Sequence, residues 1–353
     1  MLTKNINFKN FKLKRNNKNI KKNLTSLLKK KDMVLKSLGN SYKNNYTKKI
    51  LSKFKKYSNV RIIGMGGSIL GAKSIYDFLG NKVKKDFYFI DNLQSKIKSN
   101  DKKNYLNLVI SKSGSTLETI SNSNIIIKNN KKNIFITENK KSYLYSFAEK
   151  LKAEIIHHNN FIGGRYSVLS EVGMLPAELM NLKINNFKQL NNLIKNKKFI
   201  NELIKNVSNT LYFLKQKKFN SIILNYDEGS NSFFKWYQQL IAESLGKKGK
   251  GILPIISSMP KDNHSLMQLY LDGPKNNFFT FFNVKEKNPD KINNNTILFS
   301  YKYLKNKNLE KIILSQKLAT EKVFLNKKIP FRSFEINKRD EKTLGELFCF
   351  FIL

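Results

Sequence analysis

Apolar positions along this chain follow two periods. Short runs at residues 60–63, 87–90, 106–110 and 133–137 stop at Gly64, at Asp91-Asn92, at Ser111 and before a polar stretch. Helical spacing follows the first of them, over residues 70–79. Buried strands alternating with helical connections predict a parallel sheet with helices on both faces. A second series begins near Phe219, where residues 221–225 precede a long helix from about Ser230 to Leu245, ended by Gly246. Further strands are expected at 251–256, 278–284 and 330–336. Residues 1–56 are rich in Lys and Asn, with Leu and Phe spaced as in short amphipathic helices. They read as a helical lead-in wrapping the first domain, with a disordered basic arm as the competing reading.

Length turns two series into two domains, since 353 residues exceed the usual size of a single core. The expected division is a lead-in at 1–45, a first α/β domain at 46–165, a helical connection at 166–217 and a second α/β domain at 218–353. Hydrophobic residues make up 40% of the chain and aromatic ones 12%, which predicts a folded protein despite the polar bias.

A formal charge of +41 raises the question of nucleic acid or an anionic membrane. The lysines are spread from Lys4 to Lys342 and mixed with Asn, Ile and Phe, not gathered into one stripe. That distribution argues for solvated surface and against a polyanion site. Acidic small molecules remain the partners the field favours. Cys349 is the single cysteine, which excludes an intramolecular disulfide and fits a reducing compartment. The basic start lacks the apolar segment and cleavage site of a secretory signal, and nowhere do about 18 apolar residues run together. A cytoplasmic protein with no membrane partner is expected.

Open parallel sheets bind ligands beyond the carboxyl ends of their strands. Gly64-Met65-Gly66-Gly67-Ser68 follows the first strand, where its glycines allow close backbone approach and Ser68 adds a hydroxyl. A turn needed only for chain reversal accounts for it equally well, and no G-x-G-x-x-G dinucleotide fingerprint occurs. Ser111-Lys112-Ser113-Gly114-Ser115-Thr116 brings four hydroxyls and an ammonium to a helix start. Capping explains one or two of those hydroxyls; a phosphate dianion explains the set. Gly163-Gly164-Arg165 offers a guanidinium able to steady an oxyanion, or a structural turn. Gln239 and Glu243 share one helix face four residues apart, and Glu243 could equally be a solvated carboxylate. His264 lies in a loop, apart from the His157-His158 pair.

Taken in order, Gly64 to Gly71, Ser111 to Thr119, Gly163 to Ser167, Trp236 to Pro254 and His264 to Gly273 resemble the glucose-6-phosphate isomerase (phosphoglucose isomerase) family, particularly its shorter bacterial form. The resemblance spans roughly residues 60–345. It implies two sugar-isomerase (SIS-type) domains, each a parallel sheet flanked by helices, and a cofactor-free, metal-free interconversion of glucose 6-phosphate and fructose 6-phosphate through a cis-enediolate. It also implies a homodimer with shared active sites. By motif, Ser111, Lys112, Ser113 and Thr116 would hold the phosphate, while Gly67, Ser68 and Gln239 line the sugar site. Glu243 matches the base that moves the proton between C2 and C1. Arg165 matches the group that steadies the enediolate, and His264, contributed across the dimer, the one that assists ring opening.

Ser115 stands where the family usually has a second threonine, Ala242 where longer relatives have Met, and Leu245 where a polar residue is usual. The family's late lysine-bearing segment has no counterpart here, so the resemblance implies a C-terminally truncated chain, a fragment or a degenerate enzyme, with its activity as it stands left open. The rival readings are a bifunctional phosphoglucose/phosphomannose isomerase and a non-catalytic SIS-type sugar-phosphate binder. The latter would need the phosphate loop but neither Glu243 nor His264.

Overall fold

The computed structural model describes residues 1–13, 18–30, 32–96, 104–128 and 132–353. Parts of the expected lead-in, residues 14–17 and 31, lie outside them. The strands are β1 (Ile6–Lys9), β2 (Asn59–Gly64), β3 (Asp86–Ile90), β4 (Tyr105–Ile110), β5 (Asn133–Thr137), β6 (Glu154–His157), β7 (Asn220–Asn225), β8 (Leu253–Ser258), β9 (Asn277–Val284) and β10 (Phe331–Ile336). They form two five-stranded sheets, in the orders β3-β2-β4-β5-β6 and β1-β10-β9-β7-β8. Every pairing is parallel except β1 on β10.

The apolar runs follow from burial of both sheet faces. Successive side chains of a strand point to opposite faces. In the first sheet Ile62, Leu108 and Ile134 therefore join one core cluster, while Ile63, Val109 and Phe135 join another beneath Leu144 and Ala148 of the helix Tyr143–Lys150. The second sheet divides the same way, with Ile223 and Phe282 on one side and Leu224 and Phe281 on the other. One cluster is common to both sheets, so the two α/β units share a continuous apolar interior.

Two expectations at the sheet margins are corrected. The first stretch of the lead-in is not helical: Ile6 pairs with Ile336, and β1 closes the edge of the second sheet instead of wrapping the first unit. Helices do follow it at Lys18–Lys29, Met33–Ser37 and Lys48–Lys55. In addition, β6 adds a fifth strand to the first sheet, at a place where no strand was expected.

Chain order reverses between β2 and β4 in the first sheet and between β7 and β9 in the second. Such switch points open a crevice at the strands' carboxyl ends. The Gly64–Ser68 and Ser111–Thr116 loops leave the ends of β2 and β4, so both line one crevice. From β7 the chain enters the helix Asn231–Leu245, which packs on the first unit's helix Leu70–Phe78. Across this seam Ser74 Oγ donates to the Ser232 carbonyl at 2.8 Å. Arg339 bridges the Phe78 carbonyl (3.2 Å) and Asp227 (2.5 Å).

Candidate active site

Glycine brings three of the sequence motifs into contact. Gly66 has φ +52°, a left-handed conformation open to glycine, and a Cβ there would lie 2.7 Å from Gln239 Nε2. A Cβ on Gly67 would fall 2.1 Å from the carbonyl carbon of Gly164 and 2.6 Å from the Arg165 nitrogen. Ser167 Oγ fastens this contact by donating to the Gly67 and Gly164 carbonyls at 3.3 and 2.8 Å. The glycines therefore do more than reverse the chain. They let the β2 loop meet the Gly163-Gly164-Arg165 loop backbone to backbone and close against the Gln239 side chain.

At that junction Arg165 NH1 donates to Glu243 Oε1 at 2.7 Å, and Gln239 Nε2 donates to Glu243 Oε2 at 3.3 Å. The Glu243 side chain is about half exposed, at 51%, so the carboxylate is held from one side and open on the other. Arg165 is anchored further by Nε to Ser244 Oγ at 2.9 Å, and its guanidinium lies 4.7 Å from the Tyr166 ring centre. Tyr166 OH and Ser244 Oγ are 2.8 Å apart. Burial works against the guanidinium's charge, but Tyr166 and Glu243 raise its pKa above the ordinary value. Ser244 and Tyr166 were not expected to hold Arg165. Their adjacency in sequence to Glu243 and Arg165 was the available signal.

In the second loop Ser111 is buried and its Oγ lies 3.0 Å from Thr116 Oγ1. Thr116 occupies the N-cap of the helix Leu117–Ile126, yet its side chain makes no capping bond. Ser113 Oγ, on an exposed residue, accepts from Ser115 N at 3.3 Å and from Ser115 Oγ at 3.1 Å. Capping therefore does not explain this set of hydroxyls, which gather around Gly114 at φ +65°. Lys112 does not extend freely from the loop. Its Nζ donates to the Asn160 carbonyl at 2.8 Å and lies 3.5 Å from Glu138. Those two partners were invisible as sequence motifs.

Ser68 ends the short turn Gly66–Ser68 and is half-buried, between the two loops in chain order but without a side-chain hydrogen bond among the described residues. His264 stands apart. It is exposed after the turn Lys261–Asn263, which Asp262 organises by accepting from Ser257 Oγ, Ser258 N and Ser265 Oγ. Among the described residues no hydrogen bond or ion pair joins His264 to Arg165 or Glu243. No group of three or more His, Cys, Asp or Glu suited to a metal ion occurs among them either.

Chemically, the cluster places a carboxylate beside a guanidinium against the β2 loop, and the hydroxyl-bearing loop of the neighbouring strand β4 leaves the same end of the sheet. A carboxylate removes a proton alpha to a carbonyl, and an adjacent cation stabilises the oxyanion that forms. The profile of the phosphoglucose isomerase family matches residues 14–344. Glucose-6-phosphate isomerase of Methanocaldococcus jannaschii is 34% identical over 315 residues, covering 82% of this chain and 76% of that protein. The enzyme of the same name from Campylobacter jejuni is 30% identical over 319 residues, covering 84% and 78%. In fold, a hypothetical protein from Thermus thermophilus superposes with a TM-score of 0.80 at 20% identity, covering 95% of this chain and 86% of that one. A glucose-6-phosphate isomerase from Chlamydia trachomatis gives 0.66 at 19% identity, covering 86% and 65%.

Proposed function

This chain belongs to the phosphoglucose isomerase family, and from that premise we propose that its crevice interconverts glucose 6-phosphate and fructose 6-phosphate through a cis-enediolate. One observation carries the assignment of roles: the Arg165–Glu243 contact at 2.7 Å joins the two sequence-predicted chemical groups from different sheets. Glu243 is the base. With the pair half in solvent, the ion pair contributes no more than about 1 kcal/mol, so the carboxylate can exchange its guanidinium partner for a substrate C–H. Arg165, anchored by Ser244 and Tyr166, stays to meet the enediolate oxygen.

The phosphate is held by Ser111, Lys112, Ser113 and Thr116. Remote binding there orients the open-chain sugar toward Glu243. Gly67 and Ser68 form the floor of the sugar site, and Gln239 steadies the far oxygen of Glu243. His264 completes the site across a homodimer and assists ring opening, a reading supported by its exposure. The two sugar-isomerase domains are assigned to residues 46–165 and 218–353, joined by the connection at 166–217, with β1 added to the second. A cytoplasmic location fits a glycolytic reaction, and among the described residues no helix is long and apolar enough to cross a membrane.

The test is fructose 6-phosphate turnover, followed by coupled detection of glucose 6-phosphate, in the wild type and in Glu243→Gln. The substitution keeps the Gln239 and Arg165 contacts possible but removes the base, and the expected loss in kcat is at least about a hundredfold. Binding without turnover in the wild type would replace the isomerase reading with that of a sugar-phosphate binder.

A further inference from the structure

The segment that follows β6 touches both halves of the site. Its Asn160 carbonyl takes the Lys112 ammonium at 2.8 Å, and Arg165 follows shortly after. What fixes the segment lies beneath it. Glu171, the first residue of the helix Glu171–Leu179, is fully buried. Its Oε1 accepts the Asn159 N–H at 2.8 Å and its Oε2 accepts the Tyr42 hydroxyl at 2.7 Å. Asn159 in turn organises the loop: its carbonyl accepts from Ile162 N at 3.1 Å and lies 3.1 Å from His158 Nδ1, while its Oδ1 accepts from Phe161 N at 3.0 Å.

The network continues inward. The ammonium of the buried Lys188 lies 5.1 Å from the Tyr42 ring centre and donates to the Ser37 and Leu169 carbonyls. Burying a carboxylate is costly unless its oxygens are hydrogen-bonded. Here one oxygen bonds a backbone N–H of the loop and the other a side chain of the lead-in. A first-turn Glu can be retained for the helix dipole alone, but such a residue is ordinarily solvated and would not reach across to Asn159.

We propose that Glu171, supported by Tyr42, is a positioning residue for phosphate recognition: by fixing Asn159 it sets the place of the Asn160 carbonyl, and so of the Lys112 ammonium. This rests on the reading that the Ser111–Thr116 loop holds the phosphate. The effect falls on Lys112 and spares Arg165 because their anchoring differs. Arg165 is held by Glu243, Ser244 and the Gly67–Gly164 contact. Among the described residues Lys112 has the Asn160 carbonyl and a longer approach to Glu138. Displacing Asn159 and Asn160 therefore weakens substrate binding while leaving the proton-transfer geometry in place.

The experiment is a double-mutant cycle read by titration calorimetry of fructose 6-phosphate binding to the 353-residue chain, with kcat and thermal melting measured alongside. Lys112→Ala is expected to weaken binding about tenfold, the size of one charge-assisted contact. Glu171→Ala is expected to weaken it about three- to tenfold with kcat within about twofold, and to add nothing in the Lys112→Ala background. Tyr42→Phe removes a single hydroxyl, shifts affinity the same way by less, and carries the same test should Glu171→Ala fail to fold. Equal losses in both Lys112 backgrounds, or wild-type affinity in both Glu171→Ala and Tyr42→Phe, overturn the positioning role while the phosphate reading stands. Unchanged affinity in Lys112→Ala removes the phosphate reading and the positioning role with it.

Discussion

Lys188 makes the fold's stability depend on pH in a direction opposite to that of a paired surface lysine. Its side chain is buried between the Ser37 and Leu169 carbonyls, the Tyr42 ring, Glu171 and Cys349. Burial lowers its pKa from 10.5 to about 7, with Cys349 and Glu171 opposing the shift. Between about pH 7 and about 10.5 the unfolded chain therefore binds a proton that the folded chain does not, so stability rises with pH across that window. Below it both states are protonated and the penalty is constant. At 1.36 kcal/mol per pH unit, and with the curve half developed at its lower end, the gain from pH 7 to pH 9 is about 2 kcal/mol. For a chain of 353 residues this is about 3 °C in melting temperature.

The perturbation is Lys188→Gln, which keeps a donor for one carbonyl and removes the titration. Wild type and variant share the pH effects of groups remote from Lys188, including relief of the high net positive charge. The measured quantity is thus the difference between their melting temperatures by circular dichroism at pH 7, 8 and 9. It should move in favour of the wild type by about 3 °C. Measurements stop at pH 9 because burial pushes the Cys349 thiol from 9.0 up to about 12, which draws stability down at higher pH as the unfolded thiol ionises. Parallel curves for the two proteins would refute the reasoning.

Gly67→Ala should separate activity from folding. The added methyl meets Gly164 and Arg165 backbone at 2.1–2.6 Å, so the loops must part. We expect kcat/KM to fall roughly a hundredfold with a stability loss of about 1–3 kcal/mol, checked by turnover and urea unfolding. Arg339→Leu should instead act on the seam: the Asp227–Arg339 pair is nearly buried, with side chains 11% and 12% exposed. Stranding Asp227 should cost about 3–5 kcal/mol in urea, and adding Asp227→Asn should recover part of it.

The strands legible in the sequence are those with a sufficient apolar run. β2, β4 and β5 carry such runs, broken by Arg61 in β2 and Asn107 in β4, because alternate residues feed different clusters, and the edge strand β3 carries one at residues 87–90. β6 escaped because its apolar stretch is only Ile155-Ile156, flanked by Glu154 and His157. β1 escaped because four residues carry too little period to identify, and its partner lies at the other end of the chain. The site shows the same division. Each motif was visible as a loop or helix face with suitable groups, but Arg165 and Glu243 are 78 positions apart, and nothing local states that they meet. Nothing in the sequence marked Glu171, which follows the Ser170 cap in the first turn of its helix. Only the fold gives it Asn159 and Tyr42 as partners.

That division also explains where the chemistry lies. A single open sheet offers a crevice lined by its own loops, enough to bind a phosphate and a sugar chain. The proposed proton transfer needs a carboxylate and a cation fixed against each other, and Glu243 and Arg165 arrive from different units. The helix Asn231–Leu245 starts from the second sheet's switch point but rests on the first unit's helix Leu70–Phe78. Its face bearing Gln239 and Glu243 is thereby delivered to the Gly67 and Gly164 loops. The position of Glu243 against Arg165 is therefore set by the seam, through Ser74–Ser232 and Arg339–Phe78, as much as by its immediate neighbours. A change at Arg339 should consequently lower kcat together with stability, whereas a change beneath the phosphate loop, at Glu171, should lower affinity and leave kcat standing.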